Sequence, residues 1–323
     1  MTTDSLPRLL GDIGGTNARF AWQTHSSASP SDISSYPCAK HDSLLDAIRH
    51  YLGEHGRLTP RLCAIGIANP INGDRVQMTN HHWSFSILEL QRALGLERLI
   101  VINDFTALAL SLPTLTAADL RKIGPGAATP GAPLALLGPG TGLGVSGLLP
   151  AGTRGFAPIS GEGGHVTLSA GDDREAAVVQ WLRQRFGHAS AERALSGPGL
   201  VNLYEASCAL SAEAVQALGP SDVIERARSG SDPCCRKALE LFCGFLGSVA
   251  GDLALTLGAR GGVFIGGGIA PRMLTEIERS SFRERFESKG RFRDYLSGIP
   301  TVVIDAAIPP ALCGAARALD VYA

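Results

Sequence analysis

The sequence has little charge and no excess of either sign. Of its 323 residues, 18% are charged, and the formal net charge is −1. General nucleic-acid binders usually carry a basic excess and basic clusters, so this balance argues against that class. No uninterrupted apolar run reaches the roughly 18 residues of a membrane span. The stretch 1–8 is polar and too short for a signal peptide. We therefore expect neither a nucleic-acid partner nor a membrane association.

Cysteine follows no pairing pattern. The chain has seven cysteines, an odd number, and no two of them have the Cys-x-x-Cys spacing of redox and metal motifs. Cys234 and Cys235 are adjacent, which does not match that spacing either. Reduced thiols in a cytoplasmic protein explain this usage best.

The length of the chain predicts two domains, because 323 residues are many for one hydrophobic core. The hydrophobic share of 45% is that of a soluble globular protein. Ser43 has the position of a helix N-cap before an apolar periodic stretch. Periodicity predicts helices at 44–53, 86–94, 173–186, 198–210, 232–257 and 280–295, and buried strands at 62–68, 98–102, 134–137, 261–265 and 301–304.

Glycine is abundant, with 39 residues, and the first glycine-rich stretch lies at 9–22. Apolar residues alternate on both sides of Gly14-Gly15, which predicts a strand, a tight turn and a second strand. Rossmann and Walker loops lead instead from a strand into a helix, and their glycine patterns are missing from this stretch. The turn's backbone N–H groups and the Thr16 hydroxyl could face a phosphate, with Asp12 placed to meet its cation. An ordinary hairpin turn is the alternative.

A second unit of the same kind occupies 134–149. It is again a strand, a glycine turn with one threonine (Gly140-Thr141-Gly142) and a strand. Two such hairpins in the two halves of one chain are rarer than either alone. The repetition favours the phosphate interpretation of both.

Polar residues in two further places have the chemistry of a ligand site. Asn103 and Asp104 end a buried strand just before a helix, which is where α/β folds place ligands. The alternative is that Asp104 only caps the helix. Glu162 and His165 stand among glycines that let the backbone approach something small, and their side chains are complementary as hydrogen-bonding groups.

Six stretches, in this order, resemble those of bacterial glucokinases, in the superfamily of hexokinases, acetate kinases and actin-like ATPases. The resemblance extends from about Leu9 to Ala316. The stretches are Gly-Asp-Ile-Gly-Gly-Thr-Asn-Ala-Arg (11–19), Ile-Asn-Asp-Phe-Thr-Ala (102–107), Gly-Pro-Gly-Thr-Gly-Leu-Gly (138–144), Gly-Glu-Gly-Gly-His-Val (161–166), Ser-Ala-Glu-Arg-Ala-Leu-Ser-Gly-Pro-Gly-Leu (190–200) and Gly-Gly-Val-Phe-Ile-Gly-Gly-Gly-Ile (261–269).

The resemblance implies an α/β fold of two ribonuclease-H-like lobes around a central cleft, as in actin-like ATPases. The small lobe would comprise 1–113 plus 306–323, and the large lobe 114–305. It further implies a cytoplasmic homodimer acting in glycolysis. Closure of the lobes on the sugar would exclude water from the reaction.

The resemblance also implies an activity: the 6-hydroxyl of glucose attacks the γ-phosphate of ATP, with Mg²⁺ as the metal. Asp104 matches the family's catalytic carboxylate. Asp12 would lie near Mg²⁺, through water. The residues that match sugar-binding positions are Asn103, Asp104, Glu162, His165 and Glu192. Those that would hold the nucleotide are Gly11, Asp12, Ile13, Gly14, Gly15, Thr16, Gly140, Thr141, Gly142, Gly266, Gly267 and Gly268.

Other functions stay open at this point. The chain could phosphorylate another hexose or an N-acetylhexosamine, or be a non-catalytic actin-like ATPase, although the latter would not need the sugar-binding set. A sugar-kinase-like transcriptional regulator would carry a helix-turn-helix before Leu9, for which we expect no room. A kinase of the repressor/open-reading-frame/kinase family usually has a zinc-binding cysteine cluster, but no cysteine occurs between Cys63 and Cys208.

Overall fold

The computed structural model describes residues 5–79 and 81–322. Its strands, in chain order, are β1 (Arg8–Ile13), β2 (Asn17–Gln23), β3 (Ser31–Pro37), β4 (Leu62–Ile67), β5 (Arg75–Gln77), β6 (Ser84–Ser86), β7 (Arg98–Asn103), β8 (Leu120–Ile123), β9 (Leu134–Pro139), β10 (Leu143–Pro150), β11 (Phe156–Ser160), β12 (Gly262–Ile265) and β13 (Thr301–Ile304).

The helices are α1 (Leu44–Glu54), α2 (Ile87–Leu94), α3 (Asp104–Ser111), α4 (Asp173–Phe186), α5 (Gly197–Ser211), α6 (Pro220–Ser229), α7 (Pro233–Leu257), α8 (Leu274–Arg279), α9 (Phe282–Glu287), α10 (Arg293–Ser297) and α11 (Pro310–Val321). Short 3₁₀ turns lie at Cys38–Lys40, Leu112–Thr114, Ala117–Asp119, Gly152–Arg154, Gly163–His165, Ala191–Arg193, Ala270–Met273 and Gly290–Phe292.

The chain forms two compact units. The first comprises the described residues of Met1–Thr116, Ala151–Ser160 and Ala306–Ala323, and the second comprises Ala117–Pro150 and Gly161–Asp305. The lobe boundaries implied by the sequence, 1–113 plus 306–323 and 114–305, stay a prediction.

The first unit is built on a sheet with the strand order β3–β2–β1–β4–β7. The first three strands are antiparallel neighbours, and β1, β4 and β7 run parallel. One face of the sheet packs on α1 and α2 through residues such as Ile65, Ile48 and Leu90. The other face packs on α11, where Leu10 of β1 meets Leu312. Parallel strands end at one edge of the sheet, so the C-terminal residues of β1, β4 and β7 lie side by side.

Helix α11 brings the end of the chain onto this sheet. Arg8 of β1, whose side chain is only 1% exposed, donates from Nη2 to Asp320 Oδ1 (2.8 Å) and from Nη1 to the Ala316 carbonyl (3.2 Å). Gly314 is required in α11, because a Cβ there would lie 1.6 Å from the carbonyl oxygen of Ala107 in α3. The two helices can therefore approach at backbone distance.

The second unit repeats the order of the first. Its strands are arranged β10–β9–β12–β13–β8, with β9 antiparallel to β10 and parallel to β12. The series β10–β9–β12–β13 thus corresponds to β2–β1–β4–β7 in both order and direction. In each unit the first strand of the glycine hairpin also pairs in parallel with a later strand, β1 with β4 and β9 with β12.

Helix α7 forms the centre of the second unit's core. By length and composition alone its 25 residues could cross a membrane, with a mean hydropathy of 1.5 in the most apolar window. However, 72% of that window is buried inside the protein. Phe242, Phe245 and Leu246 are completely buried, which is the packing of a core helix.

The helix predicted at 280–295 is wrong as one element. The structure has α9, a 3₁₀ turn and α10 instead. Gly290, with φ +55°, breaks the stretch in the left-handed region that glycine tolerates best. The Arg283 guanidinium donates to the carbonyls of Leu296 (3.2 Å), Ser297 (2.9 Å) and Ile299 (2.9 Å) and so holds the broken segments together.

None of the seven cysteines forms a disulfide, and Cys313 alone among them is not buried. Burial raises the pKa of Cys208 to about 11 and that of Cys243 to about 12. Neutral thiols of this kind behave as small apolar core groups.

Candidate functional site

The first glycine hairpin connects β1 to β2, as the sequence predicts. Within the turn, the Gly14 N–H donates to the Asn17 carbonyl (2.9 Å), and the Cys38 N–H donates to the Thr16 carbonyl (2.8 Å). The turn is therefore pinned from inside and from the neighbouring segment. Thr16 itself is exposed, which leaves its hydroxyl accessible to a ligand.

Asp12 and Arg19 are directly opposite each other in this hairpin. Arg19 Nη1 donates to Asp12 Oδ2 at 2.9 Å, and the Asp12 side chain is 21% exposed. Burial raises the pKa of the Asp12 carboxyl above its ordinary value, while the charge and hydrogen bond of Arg19 oppose that rise. A carboxylate in this position needs a cation nearby to stay ionised at low cost.

Asn103, and not Asp104, caps α3. Asn103 Oδ1 accepts from the backbone N–H groups of Phe105 (2.9 Å) and Thr106 (3.1 Å), which are two of the helix's otherwise unpaired donors. The N-cap position is thus that of Asn103, and a role of Asp104 beyond the helix start stays a prediction. Asp104 is the first helical residue, and its Oδ1 accepts from the Phe105 N–H at 2.9 Å. The Asn103 Nδ2 amide group takes no part in the cap.

Sheet register brings Asp12 and Asp104 to the same edge of the first unit. Asp12 is in register with Gly66 of β4, which is in register with Ile102 of β7. Two strand spacings separate the Cα atoms of Asp12 and Ile102 by about 10 Å. A Cβ at Gly66 would lie 3.6 Å from the Asp104 Cα and 3.0 Å from the Ala107 Cβ. Glycine at this position therefore lets α3 begin close above the sheet.

The second hairpin connects β9 to β10 and is held by three contacts. The Gly140 N–H donates to the Gly142 carbonyl (2.8 Å), and the Gly197 N–H at the start of α5 donates to the Gly140 carbonyl (2.8 Å). The Leu143 N–H donates to Glu192 Oε2 at 2.9 Å. Glu192 thus lies against this hairpin.

Glu162 directly precedes the 3₁₀ turn Gly163–His165, which packs on β10, and His165 is the last residue of that turn. A Cβ at Gly164 would lie 2.1 Å from the Leu143 carbonyl oxygen, and one at Gly163 would lie 2.7 Å from Val145 Cγ1. Only glycines allow the turn to sit this close to the strand. Glu162 and His165 are both exposed, so their polar atoms are accessible.

The Glu162–His165 turn is joined to the turn that carries Glu192. The Ala191 N–H donates to the Val166 carbonyl at 2.9 Å, and Thr167 bridges to Ser190 in an antiparallel pair. The second unit therefore brings Glu162, His165, Glu192 and the Gly140–Gly142 turn into one neighbourhood.

The glycines after β12 lie beside the same hairpin. The Gly266 N–H donates to the Leu137 carbonyl at 2.8 Å. Gly267 has φ +78°, and a Cβ there would lie 2.4 Å from the Pro139 carbonyl oxygen. A Cβ at Gly268 would meet nothing within 4 Å, so the backbone at this residue faces open space.

A family model described as Glucokinase matches residues 9–321. Glucokinase from Aromatoleum aromaticum is 56% identical over 319 residues, covering 98% of this chain and 96% of the relative. Glucokinase from Chromobacterium violaceum is 53% identical over 316 residues, with shares of 98% and 90%. The chain belongs to the glucokinase family.

Solved structures agree with this membership. The crystal structure of a glucokinase from an Antarctic psychrotroph is 38% identical, with a TM-score of 0.89 over 97% of this chain and 98% of that one. The resemblance to glucokinases inferred from the six stretches is therefore confirmed. The α/β fold of the ribonuclease-H-like, actin-like ATPase type is confirmed with it.

Two features of the glucokinase-family site escaped the sequence analysis. The first is the Asp12–Arg19 pair, which could have been found by counting: with the four residues Gly14–Asn17 between the paired Ile13 and Ala18, Asp12 lies opposite Arg19. The second is the contact of Glu192 with Leu143, which joins residues 49 positions apart and leaves no local signal.

Within residues 5–79 and 81–322, no group of three or more His, Cys, Asp or Glu side chains could hold a metal ion by itself. Asp12 is therefore not part of such a cluster, and its carboxylate is paired with the Arg19 guanidinium.

Proposed function

We propose that this protein transfers the γ-phosphoryl group of ATP to the 6-hydroxyl of D-glucose, giving glucose 6-phosphate and ADP. The observation that carries the proposal is its 56% identity, over nearly the full length of both chains, to a glucokinase. The clustering of Glu162, His165 and Glu192 beside one glycine hairpin agrees with a polyol acceptor. A non-catalytic ATPase would have no use for this polar set.

The residues proposed to bind the sugar are Asn103, Asp104, Glu162, His165 and Glu192. Glu162 and Glu192 accept hydrogen bonds from hydroxyls, whereas His165 can donate or accept. Asn103 is restricted to donating, because its Oδ1 is occupied by the cap of α3 and only Nδ2 remains. Such a set discriminates against a sugar with an inverted or missing hydroxyl, because a polar group of the site would then lack its partner.

Asp104 is the proposed catalytic base. Its carboxylate accepts the proton of the 6-hydroxyl as the oxygen bonds to phosphorus. Phosphoryl transfer passes through a loose transition state, so alignment and charge stabilisation dominate and the base contributes a factor of about 10²–10⁴. The cap by Asn103 and the close approach at Gly66 fix the backbone on which Asp104 stands.

The nucleotide is assigned to the glycine turns. Gly11–Thr16 and Gly140–Gly142 offer backbone N–H groups to phosphates, and Gly266–Gly268 leaves room for the adenosine to lie against the backbone. The open space at Gly268 and the exposure of Thr16 support this assignment.

Mg²⁺ fits the donors of the first hairpin. This ion keeps most of its water shell and is typically held by one or two carboxylates together with substrate phosphates, which suits a single carboxylate such as Asp12. The ion would neutralise charge on the transferred phosphoryl group. A cytoplasmic homodimer acting in glycolysis completes the proposal and rests on the family resemblance.

The proposal is tested by a coupled assay of ATP-dependent phosphorylation across glucose, mannose, fructose and N-acetylmannosamine. We expect the highest kcat/KM with glucose and loss of turnover when EDTA removes Mg²⁺. Preference for N-acetylmannosamine would assign the chain to another sugar. ATP hydrolysis without any sugar phosphate would favour the non-catalytic ATPase alternative.

A further inference from the structure

Glu192 is the residue of the second unit that contacts the proposed nucleotide turn and also belongs to the proposed sugar-binding set. Its Oε2 accepts from the N–H of Leu143 at 2.9 Å, at the end of the turn assigned to the phosphates of ATP. The same side chain belongs to the set assigned to the sugar. Glu192 is half-buried, and Oε1 has no hydrogen-bond partner among the contacts of the described residues.

The glycine at position 142 creates the room for this contact. A Cβ on Gly142 would lie 2.4 Å from Glu192 Oε2 and 3.3 Å from its carboxyl carbon. The φ of Gly142 lies outside the left-handed region, so the backbone itself does not require glycine there. Glycine is required at position 142 because the Glu192 carboxylate lies where a Cβ would be.

The backbone of Glu192 is anchored independently of its side chain. The Ser196 hydroxyl donates to the Glu192 carbonyl at 2.9 Å. A Cβ on Gly199 would lie 2.9 Å from that same carbonyl oxygen, so α5 begins in direct contact with it. A displaced carboxylate must therefore move by rotation of the side chain, and not by movement of the turn.

We propose that Glu192 couples acceptor binding to donor binding, with Oε2 holding the nucleotide turn and Oε1 receiving a sugar hydroxyl. This inference rests on the proposed function. A sugar bound to Oε1 restricts the rotamers of Glu192 and so keeps Oε2 on the Leu143 N–H. The turn is then ordered before ATP arrives, which makes the cooperativity positive, and by linkage ATP favours sugar binding equally.

Glu162 serves as the comparison residue for Glu192. It is a carboxylate of the same proposed sugar set, but it is exposed and makes no hydrogen bond to the Gly140–Gly142 turn in the described structure. Its removal should affect the sugar alone.

The first experiment changes the nucleotide turn and measures the sugar. Gly142→Ala places a methyl group against the carboxylate of Glu192 and should displace it. Gly140→Ala is the matched control, because its Cβ would approach nothing closer than 4.0 Å. Titration calorimetry with glucose and no nucleotide should give a Kd about tenfold weaker for Gly142→Ala, the loss typical of a charge-assisted hydrogen bond. The control should stay within about twofold of the wild type.

Equal glucose affinities of the two glycine variants would overturn the coupling. Failure of the wild-type protein to bind glucose would instead overturn the proposed function, so the two failures are distinguishable. Thermal unfolding of both variants shows whether they are folded.

The second experiment changes the carboxylates and measures the nucleotide. Binding of a non-hydrolysable ATP analogue without sugar should weaken several-fold in Glu192→Ala, since the Leu143 N–H loses its acceptor. Glu162→Ala should bind the analogue like the wild type. This comparison decides the matter even if Gly142→Ala does not fold. Unchanged nucleotide affinity in Glu192→Ala would overturn the inference.

Discussion

The two glycine hairpins occupy the same place in their sheets but are stabilised differently. In the first hairpin a carboxylate and its partner are both part of the hairpin, since Asp12 and Arg19 face each other across β1 and β2. The second hairpin has no carboxylate of its own, and Glu192 reaches it from a separate 3₁₀ turn. The same backbone arrangement thus carries an internal ion pair in one unit and an external acceptor in the other.

This difference between the hairpins corresponds to a difference in the proposed roles of the two units. The proposed catalytic carboxylate and the proposed cation ligand both stand at the carboxyl edge of the first unit's sheet. The acidic residues of the second unit stand beside the glycine hairpin and are suited to reading hydroxyls. We expect substitution of Asp104 to change mainly turnover, and substitution of Glu162 to change mainly sugar binding.

The largest effect is expected from Asp104→Asn. Without the base, kcat should fall by about 10²–10⁴-fold, because the amide cannot accept the hydroxyl proton. The measurement is steady-state kinetics with glucose and ATP, with glucose affinity determined separately by calorimetry.

Glu162→Gln is the matched variant in the second unit. It should raise KM for glucose by about tenfold with a much smaller change in kcat, since it weakens a binding contact. A kcat loss in Glu162→Gln as large as that in Asp104→Asn would contradict the assignment of a binding role to Glu162 and a catalytic role to Asp104. Near-normal turnover in Asp104→Asn would remove Asp104 from the catalytic role.

An intermediate effect is expected from Arg19→Met, which leaves the partly buried Asp12 carboxylate without its partner. The free energy of unfolding should fall by about 1–2 kcal/mol, as for loss of a hydrogen bond to a charged group in a partly screened site. Urea denaturation at neutral pH measures it. Arg61→Met serves as control, because the Arg61–Glu97 pair is about half exposed on both sides and should contribute little.

If both arginine variants lose the same stability, the first hairpin has no special dependence on its ion pair. The contrast with the second hairpin would then be one of geometry only.

The smallest effect concerns Asp74, whose pKa is shifted in the opposite direction to that of Asp12. The Ser86 hydroxyl donates to Asp74 Oδ2 (2.6 Å) and the Leu88 N–H donates to Oδ1 (2.8 Å), and these bonds lower the pKa of Asp74 below its ordinary 3.8. Its stabilisation is therefore complete above pH 3.8 and is lost as pH falls through the lowered pKa. Asp74→Asn should lower Tm slightly at pH 7.

Thermal scans at several pH values check this sign. The difference in Tm between wild type and Asp74→Asn should shrink as the pH drops below 3.8. A difference that grows in acid would contradict the assigned hydrogen bonds.

Local elements were predictable where neighbouring residues decide them. Ser43 caps α1 by accepting from the Asp46 N–H at 3.1 Å, as its position predicts, and the helices predicted at 173–186 and 232–257 correspond to α4 and α7. Capping and amphipathic periodicity act within a few residues, so they are visible in the sequence. The single helix predicted at 280–295 is wrong, because the pattern of charged and aromatic residues continues past Gly290 although the helix breaks there.

The candidate site was predictable in residue type and motif order but not in contacts. Asn103 and Asp104 were recognisable together at a strand end, yet which of them caps α3 depended on the geometry of Asn103 Oδ1. Their roles toward sugar and nucleotide remain predictions that the experiments above address.

The sequence by itself determined the family, the repeated hairpin and the composition of the polar set, because these depend on residue identity and local spacing. Tertiary structure alone decided that Glu192 lies on the Leu143 N–H and that Gly314 faces the Ala107 carbonyl. The first of these contacts joins residues 49 positions apart, and the second joins α3 to the C-terminal helix. Contacts at such separations depend on how whole elements pack, which no short stretch of sequence encodes.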